Sequence, residues 1–99
     1  MAQSLSKILI HIIFSTKNRY PFLTEHEFRK RMHAYLAHVF HEHASPVIEV
    51  GGTTDHVHVA CFLSRTYAVS EIIRKAKANS TAWVKSEAAK YSKFSWQSG

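Results

Sequence analysis

Gly51-Gly52-Thr53-Thr54-Asp55-His56-Val57-His58-Val59-Ala60-Cys61-Phe62-Leu63 decides the fold, because from Asp55 onward it alternates as a β-strand does. Successive side chains of a strand point to opposite faces. His56, His58, Ala60 and Phe62 therefore share one face, and Val57, Val59, Cys61 and Leu63 share the other. The second set is apolar throughout and belongs against helices. The first set projects two imidazoles side by side from a helix-free face. Gly51 to Thr54 has turn chemistry, and Val47 to Val50 before it reads as a short strand, so the two strands form a hairpin.

Upstream, Lys7 to Ser15 predicts another strand, rich in β-branched residues and too short for a helix. Apolar residues occupy both of its phases, as expected for a strand buried on both faces or central in a sheet. Thr16 to Pro21 is a polar, basic turn. Thr24-Glu25-His26-Glu27 has the spacing of a capping box and opens a helix to about His41, with Phe28, Met32, Tyr35, Leu36, Val39 and Phe40 as its buried stripe. Ser45-Pro46 ends that region.

Downstream, a second helix is expected from about Tyr67 to Ala88, buried along Val69, Ile72, Ile73, Ala76, Ser80, Trp83 and Val84. Arg74, Lys77, Thr81 and Lys85 follow one another at helical spacing as a basic and hydroxyl stripe. Phe94 to Gln97 begins to look like a fourth strand. The order β-α-β-β-α-(β) predicts an α+β, ferredoxin-like (RRM-like) antiparallel sheet with both helices on one face. The first and third strands would be neighbours, and the last would pair with the outer edge of the first.

The 99 residues suit one domain, residues 1–99, and a 45% apolar content supports an ordinary core. A net charge of +6 with neutral histidines favours a polyanionic partner, nucleic acid first. One cysteine, Cys61, excludes an internal disulfide framework and a multi-cysteine zinc site. The longest apolar run, Ile8 to Phe14, is too short for a bilayer, and Met1-Ala2-Gln3-Ser4 has no signal-like character, so no membrane association and a cytoplasmic location are expected.

His56 and His58, two residues apart on a strand, can share one metal ion, and neutral imidazole suits manganese, zinc or nickel. The same spacing also describes two half-exposed histidines on a solvated sheet face. His41-Glu42-His43 matches the pattern too, but it sits at a helix end, where His⁺ interacts favourably with the helix terminus.

Several segments, in order, carry a more specific signal: Leu9 to Arg19, Gly51-Gly52 with Asp55 to Val59, Lys77 to Val84, and Phe94 to Gly99. Together they resemble the HUH-type single-tyrosine transposases of small bacterial insertion sequences, the TnpA group, over essentially the whole chain. The resemblance implies a dimer acting on single-stranded, often hairpin-folded, DNA ends. It also implies a divalent metal, magnesium or manganese, on His56 and His58, and a tyrosine that attacks the scissile phosphate to leave a 5′-phosphotyrosyl intermediate.

In that family the tyrosine and a glutamine ligand lie on a helix after the last strand. The sequence reaches Gly99 before any such helix, so it reads as a C-terminally truncated domain with no nucleophile of its own. Tyr91 is a poor substitute, since phenol chemistry requires placement beside the metal. Asp55 is a candidate to orient an imidazole, with a plain hairpin-turn role equally open. His11 shares the predicted histidine face if the first and third strands pair, and it is otherwise an interface histidine. Lys17, Arg19, Arg74, Lys77, Thr81 and Lys85 are candidate DNA contacts, each lysine being equally readable as merely solvated.

The leading expectation is a cleavage-deficient transposase domain that keeps its fold, dimerisation and single-strand binding, its exposed first strand covered by self-association. The alternatives are an enzyme with a tyrosine from elsewhere, or a non-catalytic regulatory module acting through mixed dimers. An unrelated His-X-His metal hydrolase lacks the expected carboxylates.

Overall fold

The computed structural model describes residues 7–98; Met1-Ala2-Gln3-Ser4 and Gly99, read above from sequence, lie outside them. The order is β1 (Leu9–Ser15), a 3-10 turn (Lys17–Arg19), α1 (His26–Glu42), β2 (Val47–Gly52), β3 (His56–Phe62), α2 (Val69–Glu87) and a second 3-10 turn (Ala89–Tyr91). The strands form an antiparallel sheet in the order β1-β3-β2. A single bridge, Thr16 to Trp96, starts a fourth strand on the outer edge of β1. It is framed by hydrogen bonds from Lys17 N to Ser95 O (3.0 Å) and from Gln97 N to Ser15 O (2.7 Å). The expected α+β arrangement is present.

Alternation in β3 places the core. Val57, Val59 and Cys61 are fully buried in one cluster with Phe28, Met32, Leu36, Val39 and Phe40 of α1 and Ile72, Ala76 and Val84 of α2. β1 contributes Ile12 and Phe14 to that cluster. Its other phase is not covered: Leu9 is 48% and Ile13 68% exposed. The expected burial of β1 on both faces is thus corrected. Its second apolar phase faces the helix-free side of the sheet, where no described element packs.

Three local expectations also change. The glycines do not form the hairpin turn. Gly51 and Gly52 extend β2, paired with His58 and Val57, and the turn tightens to Thr53-Thr54-Asp55. α1 starts at His26 without a side-chain cap, so the capping box does not form. The Glu25 carboxylate instead receives Lys90 Nζ (2.9 Å) and the Tyr91 hydroxyl (2.6 Å), and Arg29 Nη1 donates to Leu23 O (2.7 Å) to secure the first turn. α2 runs Val69–Glu87, two residues later than expected at its start, because Ser64 Oγ accepts from the N–H groups of Thr66 and Tyr67 and holds that segment as a loop.

The C-terminal segment closes the core. Phe94 is fully buried and Trp96 nearly so. The Trp96 ring packs edge-on against Phe14 (5.6 Å) and Phe94 (5.0 Å). Its Nε1–H donates to Ser80 Oγ (2.9 Å), which itself donates to Ala76 O (2.6 Å). This accounts for both polar groups inside the core, where an unmet one is costly.

Tyr91 stacks on Phe28 at 4.2 Å. Burial, with the Glu25 hydrogen bond adding to it, pushes its phenol up to about 12. Tyrosine in an unfolded chain titrates near 10. The folded state therefore holds this proton more tightly, and the stabilisation is complete below pH 10 and lost as pH rises through 12. Urea midpoints are expected to fall across pH 10–12 in the wild type and to fall less in Tyr91→Phe.

Candidate functional site

Cross-strand pairing builds the site. His56 and His58 lie opposite Ser15 and Ile13 of β1, and Gly51 of β2 flanks His58 from the other side. Since Val57 between them is fully buried on the helix side, both imidazoles stand on the helix-free face, half-buried.

Each ring has an evident constraint. His56 Nδ1 lies 2.9 Å from Thr53 Oγ1 and 3.2 Å from Asp55 Oδ1. With the carboxylate accepting, Nδ1 carries the proton and Nε2 is left with its lone pair, the tautomer a metal ligand needs. Asp55 is itself gripped: Arg19 Nε donates to Oδ2 (3.2 Å), and Nη2 to Oδ1 (3.4 Å). The Arg19 guanidinium first, and then the His56 hydrogen bond, hold the Asp55 carboxyl below its ordinary range. On the other ring, a methyl group at Gly51 would stand 2.8 Å from His58 Nε2 and 2.9 Å from Cε1. The absence of a side chain there is what lets the His58 ring lie over β2.

On the helix side, His33 of α1 has its Nε2 buried without a hydrogen-bond partner. Desolvation first, then the charges of Arg29 and His58, push its titration down, so it remains neutral more readily than a free histidine.

The other candidates are dispersed. His11 is exposed on the histidine face, paired with Ala60. It does not complete a metal cluster: among the described residues, no group of three or more His, Cys, Asp or Glu side chains could hold an ion. Lys17 and Arg19 flank Asn18 in the turn after β1, with Arg19 at Asp55. Lys77 reaches the C-terminal segment, donating to Gln97 O (2.8 Å) with its ammonium over the Phe14 ring, on the helix side of the sheet. Arg74 and Lys85 are exposed along the same helix, and Thr81 is partly buried. The stripe of α2 thus lies on a helix that packs against the opposite sheet face from the histidines. Tyr91 belongs to the core on that helix side and, with its phenol bound to Glu25, has no access to the pair.

Two contributors were invisible from the strand pattern alone. Thr53 reaches His56 only because the turn is tighter than its glycines suggest. Gly51 matters through its register opposite His58, which counting back from a Thr54-Asp55 turn would have shown.

The model of the family described as "Transposase IS200 like" matches residues 4–99. The chain belongs to the IS200-like transposase family. Among solved structures, this IS200-like chain is similar to a protein of Deinococcus radiodurans R1 assigned as a transposase, with a TM-score of 0.84 and 15% identity. That match covers 100% of this chain and 79% of the other, and at such identity it speaks for the fold. No curated protein matches the chain. No helix among the described residues of this family member is long and apolar enough to cross a membrane.

Proposed function

We propose that this transposase-family domain binds single-stranded, hairpin-forming ends of an insertion sequence on its histidine face, as a homodimer, and does not cut DNA by itself. The supporting observation is the His56–His58 pair on one sheet face, with the Nδ1 of His56 held by Asp55 and Thr53. The two imidazoles fit a loosely held divalent ion that draws further ligands from DNA oxygens, water or another segment; with two protein donors they do not make a closed site. A bound magnesium or manganese ion would polarise a phosphate oxygen there. Cleavage also needs a tyrosine beside the pair, and the described tyrosines are engaged elsewhere. Tyr20, exposed, leans at a tilt on Phe22 and lines the cleft beside the Ala89–Ser95 segment, Tyr35 stacks on Trp83, Tyr67 packs against His43, and Tyr91 is buried.

Incubation of the chain with a labelled single-stranded hairpin and manganese is the test. A retarded complex on a native gel is expected, without a covalent adduct on a denaturing gel. His56→Ala/His58→Ala should lose manganese binding and weaken the complex in manganese, while leaving binding in EDTA near that of the wild type. An adduct formed by the chain alone would overturn cleavage deficiency, and absence of any complex would overturn the DNA-binding function. Light scattering at micromolar concentration checks the homodimer.

A second reading is favoured by β1, whose outer edge is paired among the described residues only at Thr16–Trp96. An open edge can take a strand from a related chain. The domain would then act as a regulatory module in mixed dimers, and it would inhibit an intact family member when the two are mixed.

A further inference from the structure

A cleft of about 750 Å³ opens between the turn after β1 and the Ala89–Ser95 segment, and neither histidine lines it. Its walls carry Lys17, Tyr20, Phe22, Lys90 and Lys93, with Glu25 as the acidic member. Glu25 is occupied by Lys90 and the Tyr91 hydroxyl. Lys17 and Lys93 are exposed and have no ion-pair partner among the described residues. Tyr20 is 60% exposed, yet its ring is backed by Phe22 at 4.5 Å, and Phe22 in turn meets buried Phe94 at 5.2 Å. An exposed ring supported from behind by packed rings offers a flat face that is already positioned.

The turn that separates this cleft from the histidines is unusual. Asn18 and Arg19 are consecutive left-handed residues, φ 57° and 59°, and neither is glycine. Such conformations cost energy and persist where the surroundings fix them. Here Thr16 Oγ1 donates to Tyr20 O (2.7 Å), and Asn18 N donates to Gln97 Oε1 (3.1 Å). Both strained residues are exposed, so core packing does not explain them. Their effect is to divide the turn: Arg19 goes to Asp55 beside His56, while Lys17 and Tyr20 line the cleft.

We propose that this cleft holds a nucleotide of single-stranded DNA, with its base stacked on Tyr20 and flanking phosphates on Lys17 and Lys93. The strand continues over the Asn18–Arg19 turn toward His56. The proposal rests on the single-strand binding proposed above and adds its second anchor. The chemistry favours a strand with unpaired bases, because a duplex keeps its base faces stacked internally, whereas every unpaired base has a face for an aromatic ring. Lysines alone would accept any polyanion; the supported Tyr20 ring is what selects a base.

The test is fluorescence-anisotropy titration of the full chain with a labelled 12-nucleotide oligothymidine and with a duplex of equal length, in EDTA so that no metal at the histidines contributes. Tyr20→Ala is expected to weaken single-strand binding about tenfold and leave duplex binding unchanged. Lys17→Ala/Lys93→Ala should reduce the salt slope of single-strand binding by about 1.4, the value for two released phosphate contacts. An oligonucleotide carrying 5-iododeoxyuridine should cross-link to Tyr20. Thermal melting confirms that each variant is folded, which the exposure of all three side chains favours. Thymidine monophosphate binding as tightly as the 12-mer would overturn the strand assignment. Single-strand affinity within twofold of wild type in both variants would overturn the cleft while leaving the proposed function standing. Failure of the wild type to bind the oligonucleotide would overturn both.

Discussion

Trp96→Ala is expected to lower the unfolding free energy by about 3–5 kcal/mol, the range for removing a large aromatic from a packed core. The ring fills the space between Phe14 and Phe94, and its N–H meets a hydroxyl inside the core. Alanine would leave a cavity and leave Ser80 Oγ with only its contacts to the Ala76 and Lys77 carbonyls of its own helix. The loss should extend beyond the core. Trp96 sits between Ser95 and Gln97, whose backbone bonds tie the C-terminal segment to Lys17 and Ser15. Urea denaturation followed by far-ultraviolet circular dichroism measures the change. A loss under 1 kcal/mol would show that the segment is not part of the cooperative core. Trp96→Phe, which keeps most of the volume, should recover most of the stability.

The second large effect separates two adjacent glycines. A Cβ at Gly52 would stand 2.2 Å from the backbone oxygen of His56, at φ +156°. Neither that oxygen nor the paired strand can yield cheaply, so Gly52→Ala should cost about 3 kcal/mol or more and disturb the hairpin. The nearest atoms to a Cβ at Gly51 all belong to the His58 ring, which can swing aside. Gly51→Ala should therefore change stability by about 1 kcal/mol or less and weaken manganese binding on the order of tenfold. Urea midpoints and manganese titration by electron paramagnetic resonance read the two effects separately. Unchanged manganese affinity in Gly51→Ala would remove His58, in this orientation, from the ligand set.

The strand and helix order was legible because each element states its period clearly. β3 alternates in burial from His56 to Val59, with Ala60 also buried, and the helices bury most of the expected stripes, Tyr35, Val69, Ile73 and Trp83 being only partly covered. The face of the histidine pair followed from that alternation alone. What stayed hidden depends on contacts between distant segments. Thr24 and Glu27 have the spacing of a capping box, yet the helix begins one residue later, with Glu25 at its uncapped N-terminus and the Glu25 carboxylate held by Lys90 and Tyr91. Trp96 has no periodic context, so its place in the core rests on Phe14, Ser80 and Phe94, which no local pattern joins to it. Arg19 shows its role only once the turn brings it to Asp55. The exposed second phase of β1 was misread because an apolar residue does not state which surface covers it.

The hydrogen bond from Asn18 to Gln97 spans 79 positions of sequence. In a chain made from its N-terminus, the turn beside His56 is synthesised early, but its bond to the Gln97 side chain must wait until that residue has emerged. Contacts between segments so far apart form late, after the loop between them has closed. The histidine hairpin can pair on its own much earlier, but its setting cannot. A nascent chain therefore carries the histidine pair well before the Asn18–Gln97 contact that holds the neighbouring turn can form.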